Sequence, residues 1–360
     1  MMQLFENKYA CVGCSACASV CPKGAIRMQS DEEGFLYPVR TTELCTECDR
    51  CVQVCPSKKT PEGPAGQAFA VRCNNQELLH NSTSGGAFSL LAEQVLQEDG
   101  LVCGVVFDEQ FRVQHVLSED ISGMRKAKYV QSDLQGVFPA IRCALEEGKK
   151  VLFTGTPCQC DGLLGFLGSH PEQLILAATL CRGVQSPGLW KEDVTYLSGD
   201  GKLDSYCFRD KRVRNDAHTV AYSVDGQEQA VPMDKDPFGR IYLKCLALRP
   251  SCYRCNYTKW ELPFDLALGD FWGIENVYPE FADGRGTSLV IARTQKGLEL
   301  LEAIRKQAQV LEVHREDAEQ TALKEPAKET ILRKLLFKDF AQKQENGICN
   351  IPLILKKYGG

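Results

Sequence analysis

Hydrophobic positions along this 360-residue chain change their rhythm near residue 67. Before that point apolar residues come in short pieces. Ala25-Ile26-Arg27-Met28 and Gly34-Phe35-Leu36-Tyr37-Pro38-Val39 read as two short strands, with the polar turn Gln29 to Glu33 between them. Pro61, Gly63, Pro64 and Gly66 mark residues 58–66 as a linker. Beyond it, apolar runs alternate with helical stretches. Residues 101–107, 150–154, 174–180, 265–269 and 288–292 read as strands, and 87–97, 134–147 and 296–307 as helices. Such alternation favours a largely parallel or mixed sheet. After residue 296 helix dominates, and 328–343 reads as a basic amphipathic helix packed by its apolar face.

The N-terminal segment carries a cysteine repeat. Its first copy is Cys11-x2-Cys14-x2-Cys17-x3-Cys21-Pro22, its second Cys45-x2-Cys48-x2-Cys51-x3-Cys55-Pro56. Two residues between thiolates let a tight loop wrap three corners of a cube, and the proline turns the chain away after the fourth. In this two-cluster spacing the fourth cysteine of each run ligates the other run's cluster. One 4Fe–4S cluster is therefore expected on Cys11, Cys14, Cys17 and Cys55, and a second on Cys45, Cys48, Cys51 and Cys21. A disulfide framework or paired zinc sites fit less well, because zinc usually takes isolated CxxC pairs. The expected architecture is an α+β, ferredoxin-like N-terminal domain over residues 1–60, an α/β domain with a mixed sheet over 67–295, and a helical C-terminal extension over 296–360.

Composition narrows the class. Hydrophobic residues make up 44% and charged residues 25%, as in a packed soluble protein. A net charge of −5 argues against nucleic acid as a partner. No apolar run is long enough for a membrane span, and Met1 to Tyr9 lacks the apolar core of a signal peptide. Nineteen cysteines without an export signal imply a reducing compartment, where thiolates serve metals. Cytoplasmic residence in an anaerobe is the expectation.

A third set of cysteines lies in the α/β region. Cys158 follows the strand 150–154, Cys181 ends the strand 174–180, and Cys252-Tyr253-Arg254-Cys255 precedes the strand 265–269. Ligands in open α/β sheets bind at the carboxyl ends of strands. Four thiolates converging there would suit a third 4Fe–4S cluster, a zinc site, or neither if the cysteines are scattered. Cys160 is an alternative ligand. The other leftover cysteines, at 73, 103, 143, 207, 245 and 349, are mostly expected as small core residues.

Several stretches then occur in a telling order: Ser82–Gly86, Lys128-Tyr129-Val130-Gln131-Ser132, Thr154–Gln159, Cys181–Pro187, Phe208-Arg209-Asp210-Lys211, Ser251–Cys255 and Gly269-Asp270-Phe271-Trp272-Gly273. The set resembles the coenzyme F-420 hydrogenase/dehydrogenase beta-subunit family over roughly residues 1 to 300. The resemblance implies an iron–sulfur flavoprotein, with FAD and a 4Fe–4S cluster on Cys158, Cys181, Cys252 and Cys255. It implies electron exchange between iron–sulfur centres and a hydride acceptor such as coenzyme F-420, or another small substrate. Arg182 stands where the family often has histidine, Cys160 where it has an apolar residue, and Val213 to Asp216 where it has a Gly-Trp pair.

On composition alone, Ser82-Thr83-Ser84-Gly85-Gly86 before a helix is more readily a plain cap than a phosphate site. The resemblance favours a diphosphate site on Ser82, Ser84, Gly85 and Gly86. It makes Lys128 a phosphate partner, places Tyr129, Gln131 and Ser132 along the isoalloxazine or ribityl chain, and sets Thr154, Gly155 and Thr156 between flavin and cluster. Arg209 and Lys211 are candidate anion or substrate contacts, and Asp270 and Trp272 candidate pocket walls. No GxGxxG fingerprint follows a strand, and the five histidines show no metal spacing. Three functions remain: a flavin enzyme with its own substrate, an electron-transfer subunit docking on a ferredoxin, hydrogenase or dehydrogenase partner, or a zinc-stabilised binding protein.

Overall fold

The computed structural model of the chain describes residues 2–3, 5, 7–212, 218–345 and 351–360. Val213 to Asp216 and Cys349, singled out above, lie outside the described residues. At the N-terminus, β1 (Met2–Gln3), β2 (Ile26–Ser30) and β3 (Leu36–Arg40) form an antiparallel sheet in the order β1-β3-β2. The two cysteine runs trace one backbone path twice. Each wraps a loop with two left-handed residues, Gly13 (φ 71°) and Ser15 (φ 62°) in the first, Glu47 (φ 53°) and Asp49 (φ 56°) in the second. A short helix follows each, Ala16–Val20 and Arg50–Gln53.

From Gln67 onward the strands are β4 (Gln67–Cys73), β5 (Leu101–Phe107), β6 (Val113–Ser118), β7 (Val151–Gly155), β8 (Leu174–Thr179), β9 (Leu203–Asp210), β10 (Thr219–Val224), β11 (Gln227–Pro232), β12 (Leu266–Asp270), β13 (Ser288–Ala292) and β14 (Ala308–Val313). Eight of them form one mixed sheet, ordered β14-β4-β13-β12-β8-β7-β5-β6. Its centre, β12-β8-β7-β5, is parallel, and the flanking pairs are antiparallel. Central strands read as continuous apolar runs because both faces are covered; Val151, Leu152 and Phe153 are fully buried. The helices Ala87–Gln97 and Gln295–Ala303 pack into one core, Val137–Glu146 and Pro157–Leu167 into the other.

Three features depart from the sequence expectations. A separate antiparallel sheet, β9-β10-β11, stands apart from the main one. Its outer strand is polar and largely exposed, so it shows no apolar run. The main sheet also continues past residue 295: β14 pairs with β4 inside the stretch expected to be helical. The tail helix Ile331–Glu345 packs through Leu336, Phe337 and Phe340, but it also buries Arg333 and leaves Ile331, Leu332 and Leu335 exposed, against the expected split into an apolar and a basic face.

The ferredoxin-like module is pinned at several points. Arg333 grips Glu33 with both terminal nitrogens, at 3.1 and 2.6 Å. Tyr9 donates its hydroxyl to Glu329, 2.8 Å away, and Ser186 donates to the Glu33 carbonyl. Cys14 and Ala16 belong to the same apolar core as the helix Pro157–Leu167.

Candidate functional site

The thiols gather into three groups. Burial holds the Cys14 thiol well above its ordinary range, and Cys17, Cys11 and Cys158 add to the effect. Cys17 is pushed up to about 12 by burial, then by Cys11, Cys55 and, last, Cys51. Cys51 is raised by burial, with Cys21 and Cys45 adding. Cys21, Cys45, Cys48 and Cys51 together line a small cavity of about 30 Å³. Cys181 is raised by burial and then by Cys252, Cys158 and Cys255. Desolvated thiols of this kind become thiolates only beside a strong positive centre. Main-chain amides already point at them: Ala25 N–H at Cys21 Sγ (3.3 Å), Glu47 N–H at Cys45 Sγ (3.4 Å), Gly183 N–H at Cys181 Sγ (3.3 Å) and Tyr257 N–H at Cys255 Sγ (3.4 Å).

Close packing brings the first and third groups together. A Cβ on Gly162 would sit 2.7 Å from Cys14 Cβ and 2.8 Å from its Sγ, so glycine there permits the approach. Cys158 lies one helical turn away on the same helix, Pro157–Leu167. Thr156 caps that helix, accepting from the Gln159 amide, and its hydroxyl lies 3.2 Å from Cys158 Sγ. Cys160, the alternative ligand, is fully buried in the same apolar core as Cys14, with Cys158 acting on its thiol. Of the remaining cysteines, 73 and 103 are buried and 207 and 245 partly so, but Cys143 is exposed, against the expectation of a core residue.

Beside the third group lies a cavity of about 830 Å³, within the range of cofactor and ligand sites. Cys181 lines it. So do Ser82, Ser84, Gly86, Lys128, Tyr129 and Ser132, and the strand-end residues Thr154, Gly155 and Thr156. Parallel β7 and β8 deliver the latter three and Cys181 to the same edge, which is why residues far apart in sequence meet there.

Gly85 and Gln131 do not line the cavity. Gly85 is wedged against the Val71 carbonyl and donates its N–H to Ser288 Oγ (3.0 Å). Gln131 is turned inward and accepts from Arg249 (2.8 Å). The hydroxyls of Ser82 and Ser84 donate to the Leu78 and Thr287 carbonyls (2.7 and 2.8 Å), leaving the first-turn amides of the helix Ala87–Gln97 as the donors at that end. Lys128 donates to the Arg125 and Lys126 carbonyls, and burial lowers it to about 8. Lys211 lies under the loop, holding the Leu79 and Ser84 carbonyls, so it supports the wall rather than facing the cavity.

The floor is a hydrogen-bonded chain that names its own tautomer. Gln159 donates to Ser132 Oγ (2.9 Å), Ser132 lies 2.9 Å from His115 Nδ1, and His115 Nε2 lies 3.0 Å from the Thr154 carbonyl. A carbonyl only accepts, so Nε2 carries the proton and Nδ1 accepts from Ser132. Burial lowers His115 to about 4, keeping the ring neutral. At the rim, buried Arg209 donates to Tyr129 Oη (3.0 Å) and Asp270 (2.9 Å) and lies over the half-exposed Trp272. Tyr129 stacks on Tyr242 at 4.1 Å. Arg182, also lining the cavity, leaves its buried Nη1 without a partner. Residues 319–322, from the stretch read as a plain extension, line the mouth too. Only packing reveals them, since they carry no cysteine or glycine signature.

This is an iron–sulfur protein built on an α/β sheet. Residues 10–59 match the 4Fe-4S dicluster domain. Residues 148–319 match the family described as coenzyme F420 hydrogenase/dehydrogenase, C terminus of the beta subunit. Over residues 148–319 the chain is thus similar to that family of oxidoreductase subunits. It is 21% identical over 323 residues to the F subunit of the F(420)H(2) dehydrogenase of Methanosarcina mazei, covering 84% of each chain. Over 68 residues, 19% of each chain, it is 37% identical to the B subunit of a Na(+)-translocating ferredoxin:NAD(+) oxidoreductase complex of Acetobacterium woodii. A chain in the F420-reducing NiFe hydrogenase complex of Methanosarcina barkeri aligns at TM-score 0.47 and 17% identity, over 79% of this chain and 92% of that one. Among the described residues no helix is long and apolar enough to cross a membrane.

Proposed function

We propose that the chain is an iron–sulfur flavoprotein that carries electrons between a redox partner and a small hydride acceptor. Cys21, Cys45, Cys48 and Cys51 hold an outer 4Fe–4S cluster, Cys11, Cys14, Cys17 and Cys55 an inner one, and Cys158, Cys181, Cys252 and Cys255 a third. FAD occupies the 830 Å³ cavity. The observation that carries this reading is continuity. Exposed Cys48 shares a group with Cys51, Cys51 acts on Cys17, Cys14 on Cys158, and Cys181 both belongs to the third group and lines the cavity.

The residues fit these groups. Among the described residues no three His, Cys, Asp or Glu side chains stand close enough to share one metal ion. A tetrahedral zinc ion with Zn–S bonds of about 2.3 Å would draw four sulfurs within about 4 Å of each other. Backbone amides aimed at the Cys21, Cys45, Cys181 and Cys255 sulfurs suit thiolate ligands of a cluster. When bound, a flavin couples one-electron transfer to two-electron hydride chemistry. The chain's own part is to orient and exclude. First-turn amides of Ala87–Gln97 and the Arg182 guanidinium offer donors to anionic groups. Tyr129 and Tyr242 form an apolar wall, and neutral His115 locks the strand-end residues through Ser132 and Thr154.

The test is anaerobic reconstitution of the full chain, with iron, sulfide and flavin counted. About twelve iron atoms and one FAD per chain are expected. Bound zinc without iron would sink the cluster assignment, and absence of flavin the enzyme reading. A second reading, an electron-transfer subunit with no substrate site of its own, is favoured by the exposed cysteine loop 42–53, which suits a docking partner protein. Coenzyme F-420 reduction by the isolated chain would decide against it.

A further inference from the structure

Arg249 is fully buried, with 0% of its surface exposed, among the largest side chains so enclosed. Nε donates to the Cys11 carbonyl (2.8 Å), Nη1 to Gln131 Oε1 (2.8 Å), and Nη2 points at Cys11 Sγ (3.5 Å). Its guanidinium lies 4.0 Å from the Tyr37 ring centroid. None of these partners is a carboxylate. A guanidinium stays charged in proteins, and an enclosed charge without a compensating negative group is strongly unfavourable.

The groups it faces are thiols from two different domains, which become negative once they are cluster ligands. The guanidinium charge also reaches the Cys158 and Cys252 thiols of the third group. Its backbone belongs to the third group's segment: Cys252 N–H donates to the Arg249 carbonyl, and Arg249 N–H to that of Val184. The first cysteine run is shaped to admit it. A Cβ on Gly13 would collide with Gln131 Nε2 and come within 2.9 Å of the guanidinium carbon. In the second run glutamate stands at the corresponding left-handed position, Glu47, and the arginine beside the first cysteine comes from the N-terminal module itself: Arg40 Nη1 lies 3.7 Å from Cys45 Sγ.

We propose that Arg249 is the shared counter-charge of the inner and third thiol groups, a positioning residue that raises the reduction potentials of both centres together and leaves the outer one untouched. The inference rests on the cluster assignment above. A fixed positive charge in a dry interface stabilises the more negative, reduced form of any centre on either side. An electron crossing from one group to the other adds one negative charge on one flank of the guanidinium and removes one from the other. No bond forms or breaks and no proton moves. Matched stabilisation on both flanks keeps that crossing nearly level.

The experiment is a redox titration followed by electron paramagnetic resonance on the anaerobically reconstituted full chain. Wild type is compared with Arg249→Gln, Arg249→Lys and Gln131→Glu. In Arg249→Gln two of three midpoint potentials should fall, each by about a tenfold change in the reduction equilibrium, 59 mV for one electron, with the third unmoved. Arg249→Lys should restore most of the shift. Gln131→Glu leaves the arginine in place but neutralises it with an adjacent carboxylate, so it should lower the same two potentials even if Arg249→Gln does not fold. Potentials unchanged in Gln131→Glu, or all three shifted alike, would overturn the proposal. An iron content in wild type well short of about twelve per chain would instead sink the cluster assignment, and with it the role given to Arg249.

Discussion

Cys14 and Cys48 hold the same place in two runs of identical spacing, and their surroundings are opposite. Cys14 is buried against the helix Pro157–Leu167, and burial drives its thiol pKa well up. Cys48 is exposed, and the Arg50 amide, with the Thr46 hydroxyl, draws its pKa down. The backbone is the same in both, with left-handed residues at matching positions. One motif thus yields an inward-facing and an outward-facing half. The half that meets the α/β domain acquires a buried cation, a glycine-gated contact and a third thiol group. The other meets solvent and stays open to a partner.

Breaking the inner half should cost most. Cys14→Ser should lower stability by on the order of 4 kcal/mol, since ligand loss there also opens the domain junction. Cys48→Ser should cost on the order of 1 kcal/mol. Thermal unfolding of the two reconstituted variants measures the difference, and equal losses would mean that the halves are energetically alike.

Acid should act on the α/β side through His115. His115, lowered to about 4 from its ordinary 6.5, stays neutral in the fold while the unfolded chain takes up a proton. Its contribution is complete above pH 6.5 and is lost as pH falls toward 4, by about 3 kcal/mol in all. Denaturant melts between pH 7 and 4 on wild type and His115→Gln would show it. A wild-type slope no steeper than the variant's would remove His115 as the cause.

Smaller effects refine the contrast. Gly162→Ala forces a methyl group onto Cys14 and should cost about 2 kcal/mol, with a perturbed inner-cluster spectrum. Gly24→Ala meets no atom within 4 Å, so only its left-handed φ of 58° opposes it, for about 1 kcal/mol. Smallest of all, Glu47→Gly should stabilise by about 0.5 kcal/mol by relieving a left-handed glutamate. A loss of stability in that variant would show that Glu47 makes a contact the exposed loop needs.

Much of this was legible because it is local. Cysteine spacing is a property of a few consecutive residues, so both runs could be read directly; in the structure Cys55 acts on Cys17, and Cys21 lines a cavity with Cys45, Cys48 and Cys51. Central strands were legible from their apolar runs. The sheet β9-β10-β11 was not, because a half-exposed antiparallel sheet carries polar residues on one face and lacks such runs. The motif Lys128–Ser132 was recognised as a unit, yet its members diverge: Tyr129 and Ser132 line the cavity while Gln131 turns to Arg249.

By itself, the sequence carried the spacing of the two cysteine runs, the apolar strands of a mixed sheet and the family resemblance. Tertiary structure decided which run faces inward, that Cys158 and Cys181 meet Cys252 and Cys255 beside one cavity, and that an arginine is sealed between two thiol groups. The physical reason is range. Loop geometry and strand propensity act between neighbours in the chain, whereas burial, counter-charge and cavity shape depend on which distant segments the sheet order brings together.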